Sequence, residues 1–315
     1  MSMKQKILAT IIGGIIIIFL IFPQAVSESA TEGLLMWFQI VLPTLLPFSI
    51  VSSVIMGLGL TGGISRVVAP ILCRFFGISK MGCYPVVVGM LSGYPLGAAT
   101  VARLYQQGDI GRREAQYILH FCNNASPMFL VEFIGVSCLG LHKPLLILII
   151  VYLAGWLGAF CERIVFKIQG KKILSSNPVK HAVRHGGSSP GIIKVLDESI
   201  LHSFVMLTKV GGYIILFSIL AGVIRQMWSM PEIWKASLVS ILEITSGAIS
   251  VVGAAPGSMG MILLAGFSAF GGFSSVAQTA SVLSETDLSM FQYLLAKLRQ
   301  GLFAMGICWL VVSIF

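Results

Sequence analysis

The residues of this chain that could bind a small molecule cluster around two glycine-rich interruptions of apolar sequence. The first is the segment 92–97, SGYPLG, and the second is the segment 270–275, FGGFSS. Proline lacks an amide donor and glycine permits open turns, so each interruption predicts that one helix ends and another begins. A helix that begins there presents free amide groups and a partial positive charge, which suits an anion. The predicted substrate-binding residues of these two segments are Ser92, Gly93, Tyr94, Gly271, Gly272, Ser274, Ser275 and Gln278.

A third polar group interrupts the predicted membrane span 113–140. It contains Asn123, Asn124 and Ser126 beside a proline, and Glu132 follows five residues after that proline. Amide side chains both donate and accept hydrogen bonds, so these residues are predicted to bind a polar, planar ligand. A carboxylate inside a membrane is a functional candidate by default, and we predict that Glu132 takes a coupling proton or cation. The alternative is that Glu132 reaches the membrane surface.

Two cations occur a third of the way into the last apolar segment. Lys297 and Arg299 are costly there unless they are paired or face an aqueous cavity, where they would bind an anionic substrate directly. They are two positions apart and cannot share one face of a helix, so we expect one in the cavity and the other towards the interface. Lys209 is either a further cation of the site or the partner of an acidic residue.

The sequence argues against several other kinds of protein. It holds no HExxH, GxSxG or Walker motif, and its six cysteines contain no CxxC pair. We therefore predict no catalytic residue, no metal site and no cofactor, and expect that the protein is not an enzyme. The net charge of +9 is concentrated in a few segments between apolar ones. Membrane topology explains such a distribution without nucleic acid as a partner.

The elements that must position these residues are membrane helices. The chain has 315 residues, of which 56% are hydrophobic and only 10% are charged. Since roughly 20 apolar residues cross a bilayer, the long uncharged runs predict an all-α polytopic membrane protein. About six transmembrane helices fit the pattern of charges, at residues 7–27, 33–60, 113–140, 144–167, 199–226 and 289–315.

An internal repeat relates two parts of the chain at a constant offset. Residues 81–111 are echoed by residues 259–289 without a gap. Because three predicted spans separate the copies, the second copy is expected upside down. We therefore predict two opposed re-entrant hairpins, at 81–107 from the cytoplasm and at 257–285 from the other face, an arrangement typical of transporters. The alternative is that the small residues of both copies only allow close helix packing.

The remaining segments complete the predicted organisation. Segments 61–80 and 230–252 are predicted as amphipathic helices at the interface, with a seventh span as the alternative for the second. Basic loops indicate that both termini are cytoplasmic. The predicted domains are an N-terminal span at 1–31, a first repeat at 32–166, a basic cytoplasmic linker at 167–197 and a second repeat at 198–315.

Several motifs together resemble one family. They are the spans that begin after Glu32 and Glu198, the segment GMLSGYPLGAATVARLYQQGDI, the run FCNNASPMF, and LEITSGAI followed by FSAFGGFSSVAQ. The chain resembles the sporulation integral membrane proteins of the YlbJ type, which carry duplicated nucleoside-recognition Gate domains. This resemblance implies an architecture similar to that of concentrative nucleoside transporters. It also implies export of dipicolinate, a planar aromatic dianion, across the outer forespore membrane. The chain lacks the glutamine–threonine–glutamate hairpin signature of true nucleoside transporters.

The function predicted first is therefore that of a carrier that moves a small organic anion, such as dipicolinate, by alternating access. A second hypothesis is an ion-coupled transporter of a nucleoside or another neutral polar solute. A third is a protein of spore-envelope assembly or signalling that does not transport. The expected partners are the organic anion and the lipid bilayer, and a homo-oligomer is left open.

Overall fold

The structure, a computed structural model, describes residues 3–170, 172–174, 191–227 and 230–314. Every regular element among them is helical, which confirms the all-α prediction. The predicted linker 167–197 lies largely outside the described residues. The helices are α1 (Met3–Ile21), α2 (Pro23–Met36), π1 (Trp37–Val41), α3 (Leu42–Gly57), α4 (Thr61–Phe76), α5 (Cys83–Ser92), α6 (Leu96–Gln106), α7 (Arg112–Cys122), π2 (Phe129–Cys138), α8 (Leu145–Ile168), α9 (Ile192–Met227), α10 (Glu232–Leu242), α11 (Ile244–Ala254), α12 (Ser258–Phe270), α13 (Gly272–Leu283) and α14 (Met290–Ile314).

Five helical stretches in the described part of the chain are long and apolar enough to cross a membrane. Large apolar side chains stay exposed along them, as on α8, where exposed Ile149, Leu153, Leu157, Phe160 and Ile164 recur every three or four residues and form one apolar stripe. These features confirm a polytopic membrane protein in a lipid environment. The five stretches are Pro23–Gly57, Leu145–Ile168, Ile192–Gln226, Ser258–Leu283 and Met290–Ile314.

Two boundaries predicted near the N-terminus are wrong. The first helix ends at Ile21, not at residue 27, and the next begins at Pro23, ten residues before the predicted 33. Proline is favoured in the first turn of a helix because its missing amide would have no partner there. The polar residues 24–32 then extend the second helix instead of separating two spans.

The end of the bundle that carries the loops 77–82, 107–111 and 284–289 is called the basic face here, after the basic residues of the helix ends beside these loops, which are Arg74, Arg112, Arg113, Arg163 and Lys167. These loops contact one another: Arg112 Nε lies 2.6 Å from Asp287 Oδ2, and Ser79 N donates to Glu114 Oε1 at 2.6 Å. The hairpin predicted at 81–107 is present, since α5 and α6 pack against each other and both have their outer ends at this face. Helix α9 begins at the same face and runs away from it.

The segment 230–252 forms a second helical hairpin, so both predictions for it, an interfacial helix or a seventh span, are wrong. Helices α10 and α11 pack closely along their whole length, and the chain reverses at Glu243. Because α9 runs away from the basic face before α10 begins, this hairpin enters the bundle from the opposite face. Its second arm is mostly buried, which an interfacial helix would not be.

The hairpin predicted at 257–285 is wrong. Helices α12 and α13 lie end to end along α14: Gly266 and Phe270 of α12 approach Gly301, whereas Thr279 of α13 lies beside Tyr293 near the start of α14. The chain therefore continues through the interruption at Gly271 and crosses the bundle. Helix α14 consequently ends at the face opposite the basic one. The basic loops and the C-terminus therefore lie at opposite ends of the bundle, so the two predictions that both are cytoplasmic cannot both be correct.

The two halves of the bundle share one plan in opposite orientations. The first half has the hairpin α5–α6, a crossing interrupted between α7 and π2, and the unbroken helix α8. The second half has the hairpin α10–α11, a crossing interrupted between α12 and α13, and the unbroken helix α14. Since α8 runs towards the basic face and α14 away from it, the two halves have opposite orientations. The hairpin α5–α6 corresponds to α10–α11, however, and not to residues 259–289 as the predicted repeat requires.

Candidate functional site

The tip of the first hairpin packs on the interruption of the first crossing. Gly93 has φ of 80° and ψ of −168°, a conformation open essentially only to glycine. Tyr94 N donates to the carbonyl oxygen of Asn124 at 2.7 Å. A methyl group added at Gly89 would overlap the carbonyl oxygen of Cys122. Backbone therefore meets backbone at this point, and glycine is needed for the approach.

The tip of the second hairpin packs in the same way on the second interrupted crossing. Gly271 and Gly272 have φ of 87° and 76°, which ends α12 and restarts the chain as α13. A Cβ atom on Gly272 would lie 3.1 Å from the carbonyl oxygen of Leu242, just before the tip. Each hairpin thus contacts the broken helix that follows it.

Glu243 forms the tip of the second hairpin and caps the helix that follows. Its Oε1 accepts hydrogen bonds from Thr245 N at 3.0 Å and from Thr245 Oγ1 at 2.6 Å, and its Oε2 accepts from Ser246 N at 2.7 Å. The carboxylate is buried, and its charge is compensated by the N-terminus of α11. The sequence analysis missed this residue, because glutamate is not among the residues that usually form an N-cap.

The two hairpin tips and the two interruptions line one central cavity of about 320 Å³, which is partly open and whose lining includes the exposed residues Met128 and Glu132. Tyr94 from the first tip reaches across to the second interruption, where its Cε1 atom lies 3.3 Å from the place a Cβ on Gly271 would take. The π-helical segment π1 lines the wall, and such segments recur at functional sites. Of the predicted residues, those that line the cavity are Ser92, Tyr94, Ser126, Gly271, Ser274, Ser275, Gln278 and Glu132. Lining residues that sequence reasoning missed include Gln39, Thr44, Glu243 and Thr245.

The Asn pair lies behind the cavity wall and ties the two halves together. Asn123 Nδ2 donates to Thr279 Oγ1 at 2.9 Å and to Tyr293 Oη at 2.8 Å, while its Oδ1 accepts from Ala98 N at 3.3 Å. The side chain of Asn124 donates to the carbonyl oxygen of Phe121. Neither residue lines the central cavity, so in this conformation both amide side chains stabilise the interruption between α7 and π2.

Lys297 is fully buried and does not line the cavity, contrary to the expectation for one of the two cations. Its Nζ donates to the carbonyl oxygen of Asn123 at 3.1 Å, to Asn124 Oδ1 at 3.0 Å and to Gln300 Oε1 at 2.8 Å. All three acceptors are uncharged. The ammonium group thus fastens α14 to the interruption of the first crossing, where α7 has lost the helical partners of its last carbonyl groups.

Arg299 also lies away from the cavity and belongs to a polar cluster between α7, α8 and α14. Its Nη2 lies 3.0 Å from Glu162 Oε2, and Glu162 Oε1 lies 2.9 Å from His120 Nδ1. His120 Nε2 contacts the amide of Gln116 at 2.9 Å. The side chain of Arg299 is 35% exposed, and its expected placement towards the interface stays a prediction. Its predicted role in substrate binding stays a prediction.

These features define a class of protein. It is an all-α membrane protein whose two halves have opposite orientations and each bring a hairpin and a broken crossing to one central cavity. The chain is 30% identical to the sporulation integral membrane protein YlbJ of Bacillus subtilis (strain 168), over 90% of this chain and 76% of that protein. It belongs to the family of YlbJ-type sporulation integral membrane proteins.

Two further comparisons gave no relative. No family model matches the chain. No solved structure matches it either.

Proposed function

We propose that the protein is a carrier that moves a small organic solute across a membrane by alternating access, with the central cavity as its substrate site. One observation supports this proposal above the others: all four irregular points of the bundle, two hairpin tips and two interrupted crossings, meet at that cavity. Irregular backbone at membrane depth is tolerated where it lines a cavity, and paired broken helices mark substrate sites in carriers.

Opposed hairpins give the carrier two gates. The hairpin α5–α6 separates the cavity from the basic face, and α10–α11 separates it from the opposite face. Each is held at its tip by close backbone contact with a broken crossing, as at Gly93 and Gly272. A small shift of either hairpin against its crossing would open the cavity to one face while the other hairpin stays closed.

For the substrate we propose a small organic anion with a planar ring, such as dipicolinate, in the membranes of a sporulating cell. The N-terminus of α13 carries no side-chain cap, and its residues Ser274 and Ser275 line the cavity with Gln278 one turn further on. Free amide groups, hydroxyls and a side-chain amide are donors suited to a carboxylate. Apolar walls that include Phe129 and Phe133 suit a ring. The substrate named here follows the family resemblance.

A specific observation favours a second candidate. The charged residues that line the central cavity, Glu132 and Glu243, are both carboxylates. Carboxylates at this position would suit a neutral polar solute coupled to a proton or a sodium ion. In that case Glu243 would exchange one of its three hydrogen bonds for the cation.

The test is flux into proteoliposomes. We expect wild-type protein to carry labelled dipicolinate, and Ser274→Ala to reduce the flux by about tenfold through loss of a donor to the anion. Ser313→Ala, which alters an exposed serine at the end of α14, is the matched control and should leave flux unchanged.

The remaining outcomes separate the candidates. Uridine flux that depends on a sodium or proton gradient, and is lost in Glu243→Gln, would favour the second candidate over the first. Absence of flux for both solutes in wild type would overturn both. Dipicolinate flux unchanged in Ser274→Ala would remove the assignment of the central cavity as the anion site.

A further inference from the structure

A second cavity of about 790 Å³ lies between the hairpin α5–α6 and helix α9. Its walls come from α3, α6, α9 and α13, and it extends to Glu285 in a loop of the basic face. It is larger than the central cavity and contains three basic side chains, Arg103, His202 and Lys209.

The two strong cations of this cavity have no acidic partner in the described part of the chain. No carboxylate lies within 4.0 Å of Arg103 or Lys209, although two acidic residues line the same cavity. Glu198 instead faces Lys194 at 4.0 Å with its side chain 68% exposed, and Glu285 is exposed in its loop. Both acids therefore point away from the cations, and Arg103, which is half-buried, and Lys209, which is exposed in the open part of the cavity, keep unpaired charges.

The position of Lys209 along α9 indicates that its unpaired charge lies at membrane depth. It lies eleven residues beyond Glu198 on α9, about 16 Å along the helix at a rise of about 1.5 Å per residue. It is residue 18 of the 36 that form α9, the middle of a membrane-spanning helix. An unpaired ammonium group at such depth is costly unless it faces water or an anion. Arg103, half-buried on α6, faces the same space from the other wall.

This cavity adjoins the central one. Gln278 and Val210 line both, so only these side chains and their neighbours separate the two spaces. Gln278 Nε2 donates to Ser274 Oγ at 3.1 Å, which links the wall of the larger cavity to the N-terminus of α13. A solute that left the larger cavity past Gln278 would arrive at the amides and hydroxyls of the central site.

We propose that this cavity is a vestibule site for a small organic anion, with Arg103 and Lys209 as the residues that bind its carboxylate groups. Positive charge in a low-dielectric cleft concentrates anions, and guanidinium and ammonium groups both bind carboxylates. Glu198 and Glu285 at the mouth of the cavity disfavour anions held only there, so the binding energy comes from Arg103, one turn from the end of α6, and from Lys209 deeper along α9. The inference rests on the proposed carrier function for its place in transport, but not for the binding itself.

Equilibrium binding to the purified protein in nanodiscs, measured by calorimetry, tests the vestibule. The probes are pyridine-2,6-dicarboxylate, pyridine-2-carboxylate and neutral nicotinamide. We expect the dicarboxylate to bind most tightly and nicotinamide not to bind. Arg103→Gln and Lys209→Gln should each weaken dicarboxylate binding by about tenfold, the loss of one charge-assisted hydrogen bond. Arg103→Lys and Lys209→Arg, which keep the charge, should weaken it much less and report on folding.

Arg66→Gln is the matched control, because Arg66 is an exposed cation that lines neither cavity. Binding equal to wild type in both neutralised vestibule variants would overturn the inference, as would tight binding of nicotinamide or no binding of any probe. The test is separable from that of the carrier. Binding that depends on Arg103 and Lys209, without any flux, would support the vestibule site and contradict the carrier function. Dipicolinate flux that neither substitution changes would support the carrier function and contradict the vestibule site.

Discussion

Replacing Gly93 by alanine is expected to abolish solute flux and to lower the unfolding temperature of the protein in detergent. A Cβ atom at this position would lie 2.6 Å from Ser126 N and 3.0 Å from the carbonyl oxygen of Asn124. The backbone conformation at Gly93 adds strain of about 1–3 kcal/mol for any other residue. The hairpin tip would have to leave the interrupted crossing, and the gate towards the basic face would not close. Flux in proteoliposomes and differential scanning fluorimetry measure the two effects.

A control with the same strain and no clash is available in the chain. Gly257 has φ of 73° and ψ of −143°, close to the values of Gly93, and a Cβ there would meet nothing within 4 Å. Gly257→Ala should lose some stability and keep its flux. If both variants lost flux equally, backbone strain would explain the result and the contact between tip and crossing would have no special role.

Replacing Lys297 by methionine is expected to destabilise the protein strongly. The substitution keeps the length of the side chain but leaves the carbonyl oxygen of Asn123, Asn124 Oδ1 and Gln300 Oε1 without their shared donor. Unsatisfied buried acceptors cost about 1–3 kcal/mol each, so a loss of about 3 kcal/mol or more is expected. Unfolding in detergent, followed by tryptophan fluorescence, measures this loss.

Lys235→Met serves as the control, because Lys235 pairs only with the exposed Glu232 on the second hairpin. It should change the unfolding free energy by well under the loss expected for Lys297→Met, since surface ion pairs contribute about 0–1 kcal/mol. A Lys297→Met protein with unchanged stability but no flux would contradict the structural role. It would instead indicate direct contact between Lys297 and the substrate in another conformation.

The sequence predicts where the helices are interrupted, but it does not predict whether the chain reverses or continues at each interruption. Segments 92–97 and 270–275 were both predicted as breaks, and both are breaks. Whether the chain reverses or continues at a glycine depends on the helices it packs against, and these are distant in sequence. At Gly93 the chain reverses and packs on itself, whereas at Gly271 it continues along α14. The constant offset between residues 81–111 and 259–289 therefore relates segments that do not have equivalent positions in the fold.

The hairpin at Glu243 was missed for a related reason. Apart from its tip, the segment 232–254 holds few charges, and its Trp234 and Lys235 are equally compatible with an interfacial helix. The predicted direction of α14 is reversed because segment 258–283 crosses the bundle, whereas an interfacial helix and a hairpin at 230–252 would both return the chain to the same face. The tertiary contacts of Gly266 with Gly301 and of Thr279 with Tyr293 distinguish the two topologies.

For the candidate site, the residue types predict which side chains need a partner, but they do not predict which partner each side chain has. The rule that a buried cation needs a partner holds for Lys297, but the partners are carbonyl and amide oxygens and not a substrate. Sequence alone gives the cost of burial and does not say which neighbour offsets it. Ser274, Ser275 and Gln278 line the cavity because α13 begins beside it, and their role in substrate binding stays a prediction.

The central claim is that the cavity between the hairpin tips opens alternately to both faces. It is tested most directly by a single cysteine at Ser274, in a background in which the six native cysteines are replaced. Membrane-impermeant methanethiosulfonate would be applied to right-side-out and to inside-out vesicles. The carrier predicts that Cys labelling proceeds from both sides and that the transported solute slows it on each. Labelling from only one side or from neither side would contradict the alternating-access claim, and so would labelling that the solute does not slow.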